Sequence, residues 1–75
     1  MTDTTFNGWA NHATWNVALW IGNDEGLYDI AREAGSFGRF QDTMRELDTL
    51  ETPDHVAYND TGIDADEMDE MIANL

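Results

Sequence analysis

The stretch from Asn11 to Tyr28 constrains the fold more than any other part of this chain. From Trp15 to Ile21 only Asn16 is polar, and two of the three tryptophans of the protein lie in that run. A helix that is apolar on nearly all sides belongs in the middle of a fold. The stretch therefore predicts a central, Trp-rich first helix at about residues 12–22, with Asn11 as its N-cap.

A second helix is predicted to follow the first after a tight corner. Gly22 is suited to the left-handed position that ends a helix, and Asn23 can cap the next one. Apolar residues then repeat at i, i+3, i+4 and i+7 up to a stop at Gly35.

Two more helices and one extended segment complete the predicted fold. Ser36 can cap a helix at about 37–51. The alternating residues 55–58 are predicted to lie extended over the core, and Asp64 can cap a last helix at about 65–74. The apolar face of the third helix is predicted to hold four residues: Phe37, Phe40, Met44 and Leu47.

Length and composition predict one small domain. Seventy-five residues leave room for a single domain, 1–75, which we expect to be an all-α bundle of about four short helices around the first. The absence of cysteine excludes disulfides and thiolate zinc sites. The longest apolar run, Val17–Ile21, is far shorter than a membrane span, and Met1–Ala10 lacks the basic start of a signal peptide. We therefore expect a cytoplasmic protein that contacts no membrane.

The charge of the chain is strongly negative and unevenly placed. Sixteen acids face three arginines and no lysine, for a net charge of −13, and residues 46–75 hold ten of the acids and no base. Such a chain repels nucleic acid and attracts basic surfaces. Eight of these acids are the candidate partner-binding residues: Glu51, Asp54, Asp60, Asp64, Asp66, Glu67, Asp69 and Glu70.

Two interpretations of this acidity remain open. In the first, the eight carboxylates imitate a nucleic-acid backbone and block the DNA-binding site of a basic host protein or nucleoprotein complex. Duplex DNA carries one charge per roughly 1.7 Å of its axis, and a helix that rises about 1.5 Å per residue can approach that density. In the second, acids cover the whole surface as an adaptation to high salt, which screens their repulsion. The chain would then be an adaptor or structural module that binds through an exposed Trp9, Tyr28 or Tyr58.

No catalytic or cofactor-binding pattern emerges from the sequence. The glycines match no phosphate-binding loop, and the only serine, Ser36, stands where a helix cap is needed. His12 and His55 lack the spacing of a metal site, and we expect the first to be partly buried and the second to face solvent. A calcium loop that starts at Asp60 or Asp64 would lack glycine at its sixth position. We therefore expect a protein that is not an enzyme and has no cofactor and no metal.

Asn16 is the polar residue that most needs a partner. A buried amide lowers stability unless its donors and acceptor are paired. One interpretation is that Asn16 bonds to a neighbouring backbone, in the 53–59 segment, and fixes the register of the core. The other is that it contacts a ligand in a pocket beside Trp15 and Trp20.

The stretch Asn11–Tyr28 also carries a resemblance. It reads Asn-His-Ala-Thr-Trp-Asn-Val-Ala-Leu-Trp-Ile-Gly-Asn-Asp-Glu-Gly-Leu-Tyr, and it resembles a small uncharacterised family of acidic proteins from bacteriophages and mobile elements, including those of halophiles. The Thr52–Asp54 turn and the terminal Asp69–Met71 stretch are also similar. The resemblance implies a phage or plasmid origin and brings no catalytic residues. In size and charge alone the chain is similar to DNA-mimicking inhibitors of restriction or CRISPR systems, so we expect a phage-encoded acidic inhibitor in the host cytoplasm.

Overall fold

The computed structural model describes residues 8–75, which form four helices. They are α1 (His12–Asn23), α2 (Glu25–Ala34), α3 (Phe37–Glu46) and α4 (Ala65–Ala73). Within residues 8–75 the only pairing of extended backbone is one antiparallel bridge between Glu51 and Ala57. The predicted all-α bundle is confirmed.

The corner between α1 and α2 is built on Asp24 rather than on Gly22 and Asn23. The backbone N–H of Asp24 donates to the Trp20 carbonyl at 2.9 Å and ends α1, while its Oδ1 accepts the Leu27 N–H at 3.0 Å and begins α2. Gly22 and Asn23 remain helical inside α1. The predicted boundary is wrong by one or two residues because Asp24 is both the C-cap of α1 and the N-cap of α2, and its carboxylate favours the positive N-terminus of α2.

Left-handed residues end both α2 and α3. Gly35, with φ of 76°, ends α2 as predicted. The third helix ends five residues earlier than predicted because Asp48 also adopts a left-handed backbone, with φ of 58°. Two bonds then close the end of α3: Asp48 N–H to the Arg45 carbonyl at 3.1 Å, and Thr49 N–H to the Met44 carbonyl at 2.9 Å. This is the Schellman arrangement, formed here without glycine.

The core lies between the four helices and is closed by the segment that follows α3. Both α1 and α3 pack against α2 and α4. The rings of Phe40 and Tyr58 meet edge to face, with centroids 5.4 Å apart. One apolar residue of α1, Leu19, is not covered by the other elements and is 37% exposed. The buried apolar residues come from every helix and from the α3–α4 connection: Val17, Ala18, Ile21, Ala31, Phe37, Phe40, Met44, Tyr58, Ile63, Met68 and Ile72.

A polar cluster joins the start of α1 to the start of α4. Oδ1 of Asn11, the predicted cap, accepts the N–H of Thr14 at 2.9 Å, and Nδ2 of Asn11 donates to the Gly62 carbonyl. The Thr14 hydroxyl accepts the N–H of Asp64 at 2.9 Å, and Asp64 caps α4 by accepting the Glu67 N–H at 3.1 Å. These bonds fix the first turn of α4 against α1.

Candidate functional site

The eight predicted acids belong to two parts of the fold. Glu51 and Asp54 lie in a loop at residues 50–58, which we call the 50–58 loop. The other six lie on α4 or in the turn before it and are named the α4 acids: Asp60, Asp64, Asp66, Glu67, Asp69 and Glu70. The structure therefore places four of the eight on α4 itself and two more, Asp60 and Asp64, in the turn that leads into it.

Two of the α4 acids shape the turn that leads into α4. Oδ1 of Asp60 accepts the Gly62 N–H at 2.7 Å, which is the local bond by which aspartate favours turns. Asp64 is the N-cap described above. Both carboxylates therefore have a structural role, since each accepts a backbone N–H and stabilises the start of α4.

Two more of the α4 acids make long-range contacts. Oε1 of Glu67 accepts the backbone N–H of Ala10 at 2.7 Å, and Oδ1 of Asp69 accepts the N–H of Phe37 at 2.8 Å. Because Phe37 is the first residue of α3, Asp69 places its negative charge at the N-terminus of a neighbouring helix, where the helix dipole favours it. These two carboxylates hold α4 to the rest of the bundle.

Asp66 and Glu70 differ from the other α4 acids. Both are exposed, and within residues 8–75 neither side chain takes part in a hydrogen bond or ion pair. They lie four residues apart on α4, where like charges repel by a few tenths of a kcal/mol. Asp66 gains from the dipole because it lies in the first turn, whereas Glu70 lies beyond that turn. The described fold therefore gives no stabilising reason for a charge at Glu70.

Asp54 is the hydrogen-bond partner of the buried Asn16. The side chain of Asn16, in a residue only 1% exposed, donates from Nδ2 to Oδ2 of Asp54 at 2.8 Å and accepts the Thr52 hydroxyl at 2.7 Å. Trp20 donates from Nε1 to the same Asp54 oxygen at 2.9 Å. The bonds from Asn16 and Trp20 hold the pKa of Asp54 below its ordinary value. Asn16 is therefore paired inside the protein, through side chains at 52–54 rather than the predicted backbone.

The 50–58 loop is held by bonds around Thr52. The Thr52 N–H donates to the Val56 carbonyl at 2.9 Å, and the His55 N–H donates to the Thr52 carbonyl at 2.8 Å. His55 adopts a left-handed backbone, with φ of 68°, so the predicted extended segment at 55–58 is reduced to the single bridge. Oε1 of Glu51 lies 2.9 Å from Nδ1 of His55, and this contact raises the pKa of His55.

Two predictions about the exposure of side chains are wrong. Tyr58 is 3% exposed and lies in the core, so it offers no aromatic surface. His12 is exposed rather than partly buried, with its ring centroid 5.5 Å from that of Trp15. Trp9 and Tyr28 are half-buried, so each keeps a solvent-facing edge.

The structure also contains an open groove that the sequence did not indicate. It has a volume of about 520 Å³ and lies between α2 and the segment after α3, with Leu27, Ile30 and Leu47 among its lining residues. Leu47 was predicted to lie on the apolar face of the third helix, but α3 ends before it and leaves it 57% exposed. The groove could have been predicted from the early end of α3, but the left-handed residue there is Asp48 rather than a glycine, so the sequence does not indicate that end.

Over residues 8–75, no set of three His, Asp or Glu side chains is arranged to hold a metal ion. No helix in the same part of the chain has the length and apolar character needed to cross a membrane.

Comparison with protein families identifies one match. The model of DUF7249, a family of unknown function, matches residues 2–75, so the chain belongs to this family. Comparisons with curated proteins and with solved structures find no match. The family brings no assigned activity.

Proposed function

We propose that this member of a family of unknown function is a non-enzymatic, phage-encoded inhibitor of the anti-CRISPR or anti-restriction type. It binds a basic host protein or nucleoprotein complex in the host cytoplasm and blocks the DNA-binding site of that complex. The observation that carries the proposal is the exposed pair Asp66 and Glu70, whose carboxylates form no hydrogen bond or ion pair with residues 8–75. A carboxylate that residues 8–75 leave unpaired is available to a partner.

The other α4 acids support the proposal through their rigidity. Four of them are held by backbone N–H groups at 2.7 to 3.1 Å, so the surface is charged and ordered before a partner arrives. Preorganisation reduces the entropy lost on binding, and complementary charge speeds association with a basic groove.

The spacing of the carboxylates is close to that of DNA phosphates. Five of them lie between Asp64 and Glu70, a distance of about 9 Å along a helix axis at 1.5 Å per residue. This is roughly one charge per 2 Å, against roughly one per 1.7 Å of duplex. A groove that binds duplex DNA therefore meets a similar line of charge on α4.

Capture from a lysate of host cells tests the proposal. We expect the immobilised chain to retain a DNA-binding protein or complex, to release it between low and moderate salt, and to lose it to added duplex DNA, because the contact is electrostatic. The double variant Asp66→Asn/Glu70→Gln should release the same partner at distinctly lower salt.

A matched control is available on α2. Asp29→Asn/Glu33→Gln changes the same two residue types at the same four-residue spacing, also at exposed positions, and should release the partner as the wild type does. If both double variants release it at the same salt concentration, or if no nucleic-acid-binding protein is retained, the proposal is wrong.

A second candidate function is favoured by a different observation. Exposed acids also occur on α2 and around the end of α3, at Glu25, Asp29, Glu33, Glu46 and Asp48, which is the wider spread that high-salt adaptation predicts. The chain would then be a small adaptor or structural module that binds through Trp9 or Tyr28. In that case capture would be insensitive to salt and would be lost in Trp9→Ala but not in Asp66→Asn/Glu70→Gln.

A further inference from the structure

The open groove beside α2 is lined largely by apolar side chains, and the proposed role of the α4 acids does not account for it. Leu27 and Ile30 of α2 line it together with Leu47, and the buried residues Met44 and Tyr58 contribute to its lining. Its volume of about 520 Å³ lies in the range of pockets that bind ligands. It is open to solvent rather than enclosed, which suits a polypeptide element better than a small molecule.

Leu47 is the most informative residue of this groove. It is 57% exposed although it follows directly on a helix whose apolar residues Phe40 and Met44 are buried. The left-handed turn at Asp48 ends α3 at this point and leaves the leucine at the edge of the groove. Burying a leucine side chain is worth roughly 1.5–3 kcal/mol, so a partner that covers Leu47 gains affinity.

Charge at the rim identifies the kind of partner. Asp24 and Glu51 line the groove, and exposed Asp48 is adjacent to Leu47 in the chain. Among the described residues that line it there is no Arg or Lys, and the one titratable cation is His55, which lies against Glu51. A second copy of the chain would bring the same acids and a net charge of −13, so electrostatic repulsion disfavours a homodimer here.

We propose that this groove binds a basic amphipathic helix of the partner protein. Apolar side chains at i, i+3 or i+4 and i+7 of that helix enter between α2 and Leu47, and its flanking Lys or Arg residues face Asp24 and Glu51. This is the helix-in-groove mode of recognition. The inference rests on the proposed function only in requiring a basic partner, and it uses a surface other than the α4 acids.

The probe for this proposal is a synthetic helical peptide of about 18 residues, long enough to form a helix, made of Leu and Lys with the leucines along one face. A control peptide has the same composition with its leucines spread around the helix. In fluorescence anisotropy at physiological salt, we expect the amphipathic peptide to bind the full chain about tenfold more tightly, the factor that roughly 1.4 kcal/mol of additional apolar burial produces.

The chain offers a matched pair of variants for the same measurement. Leu47→Ser should weaken binding of the amphipathic peptide by about tenfold. Leu50→Ser alters a leucine that is equally exposed, at 57%, but that does not line this groove, and it should leave the affinity unchanged. Both positions are exposed, so both variants should fold, as circular dichroism will show.

Equal affinity for the two peptides, or equal losses in Leu47→Ser and Leu50→Ser, would overturn the groove proposal. A dimer in sedimentation that dissociates in Leu47→Ser would assign the groove to a second copy and would also overturn it. Peptide affinity that is retained in Asp66→Asn/Glu70→Gln supports a site separate from the α4 acids. Failure with the peptides leaves salt-dependent capture of a DNA-binding protein standing, so the two proposals fail independently.

Discussion

Asn16 links the 50–58 loop to α1 through its side chain. It uses both ends of its amide, donating to Asp54 and accepting from Thr52. The sequence indicated that a polar residue in this apolar helix would need a partner, because a buried amide is unfavourable unless it is paired. Its partners lie 36 and 38 residues away along the chain, and no local pattern identifies contacts of that range.

Replacing Asn16 tests this role. Asn16→Ala leaves the Thr52 hydroxyl, in a residue only 2% exposed, without its acceptor and opens a small void, so we expect the free energy of unfolding to fall by about 2–3 kcal/mol. Urea unfolding followed by tryptophan fluorescence measures the change. A loss below about 0.5 kcal/mol, the range of ordinary surface substitutions, would show that the network does not hold the loop.

The carboxyl of Asp54 makes stability depend on pH in a predictable direction. Its pKa lies below the ordinary value of 3.8 because Asn16 and Trp20 donate to the charged form. The unfolded chain therefore binds this proton more readily, so the stabilisation is present above about pH 4 and is lost as the pH falls through the folded pKa. We expect the difference in Tm between the wild type and Asp54→Asn to shrink as the pH is lowered from about 6 to about 3. The two proteins differ only at position 54, so a difference in Tm that is independent of pH would contradict the account.

At the scale of the helices, the sequence predicted the N-termini of the helices better than their C-termini. The caps at Asn11, Ser36 and Asp64 are confirmed, because a capping side chain acts within its own turn. The end of α1 was mispredicted because Asp24, whose backbone is extended, ends the helix one residue later than expected. The end of α3 was mispredicted because Asp48 adopts the left-handed backbone that glycine or asparagine usually provides. Aspartate tolerates left-handed backbone better than most residues, but periodicity alone does not show when it is used.

Two glycines in neighbouring elements should respond to alanine with opposite signs. Gly35 has φ of 76°, and an added Cβ would meet nothing within 4 Å, so Gly35→Ala should lower the free energy of unfolding by about 1 kcal/mol through backbone strain alone. Gly38 lies in the first turn of α3, also with open space around it, so Gly38→Ala should raise the free energy of unfolding by about 0.5 kcal/mol. Chemical denaturation of the two variants compares them directly, and changes of the same sign would contradict the assigned helix boundaries.

At the scale of the whole molecule, composition predicted the acidic character but not its arrangement. The eight candidate acids were identified from the sequence. That Glu67 and Asp69 hold distant backbone groups could not be predicted, since these contacts span 57 and 32 residues. The groove was also not predicted, because it depends on a long-range contact. It forms only when α2 packs beside the segment that begins at Leu47, after the end of α3.

Salt dependence separates the two interpretations of the net charge. The repulsion among acids is largely screened once the Debye length falls to about 8 Å, at roughly 0.15 M salt. For an inhibitor that works in an ordinary cytoplasm, we expect the Tm to rise with added KCl up to about 0.2 M and then to level off. A Tm that keeps rising well into molar KCl would favour high-salt adaptation. The same titration on Asp66→Asn/Glu70→Gln should show a smaller initial rise, since that variant carries two charges fewer.

Competition between this chain and duplex DNA for the captured host protein tests the central claim most directly. If the α4 acids occupy the DNA-binding site, the apparent Kd of the chain will rise in proportion to the concentration of duplex, and no complex that contains all three components will form. An apparent Kd that does not change with added duplex, together with a stable ternary complex, would contradict charge mimicry and would place the binding surface elsewhere on the molecule.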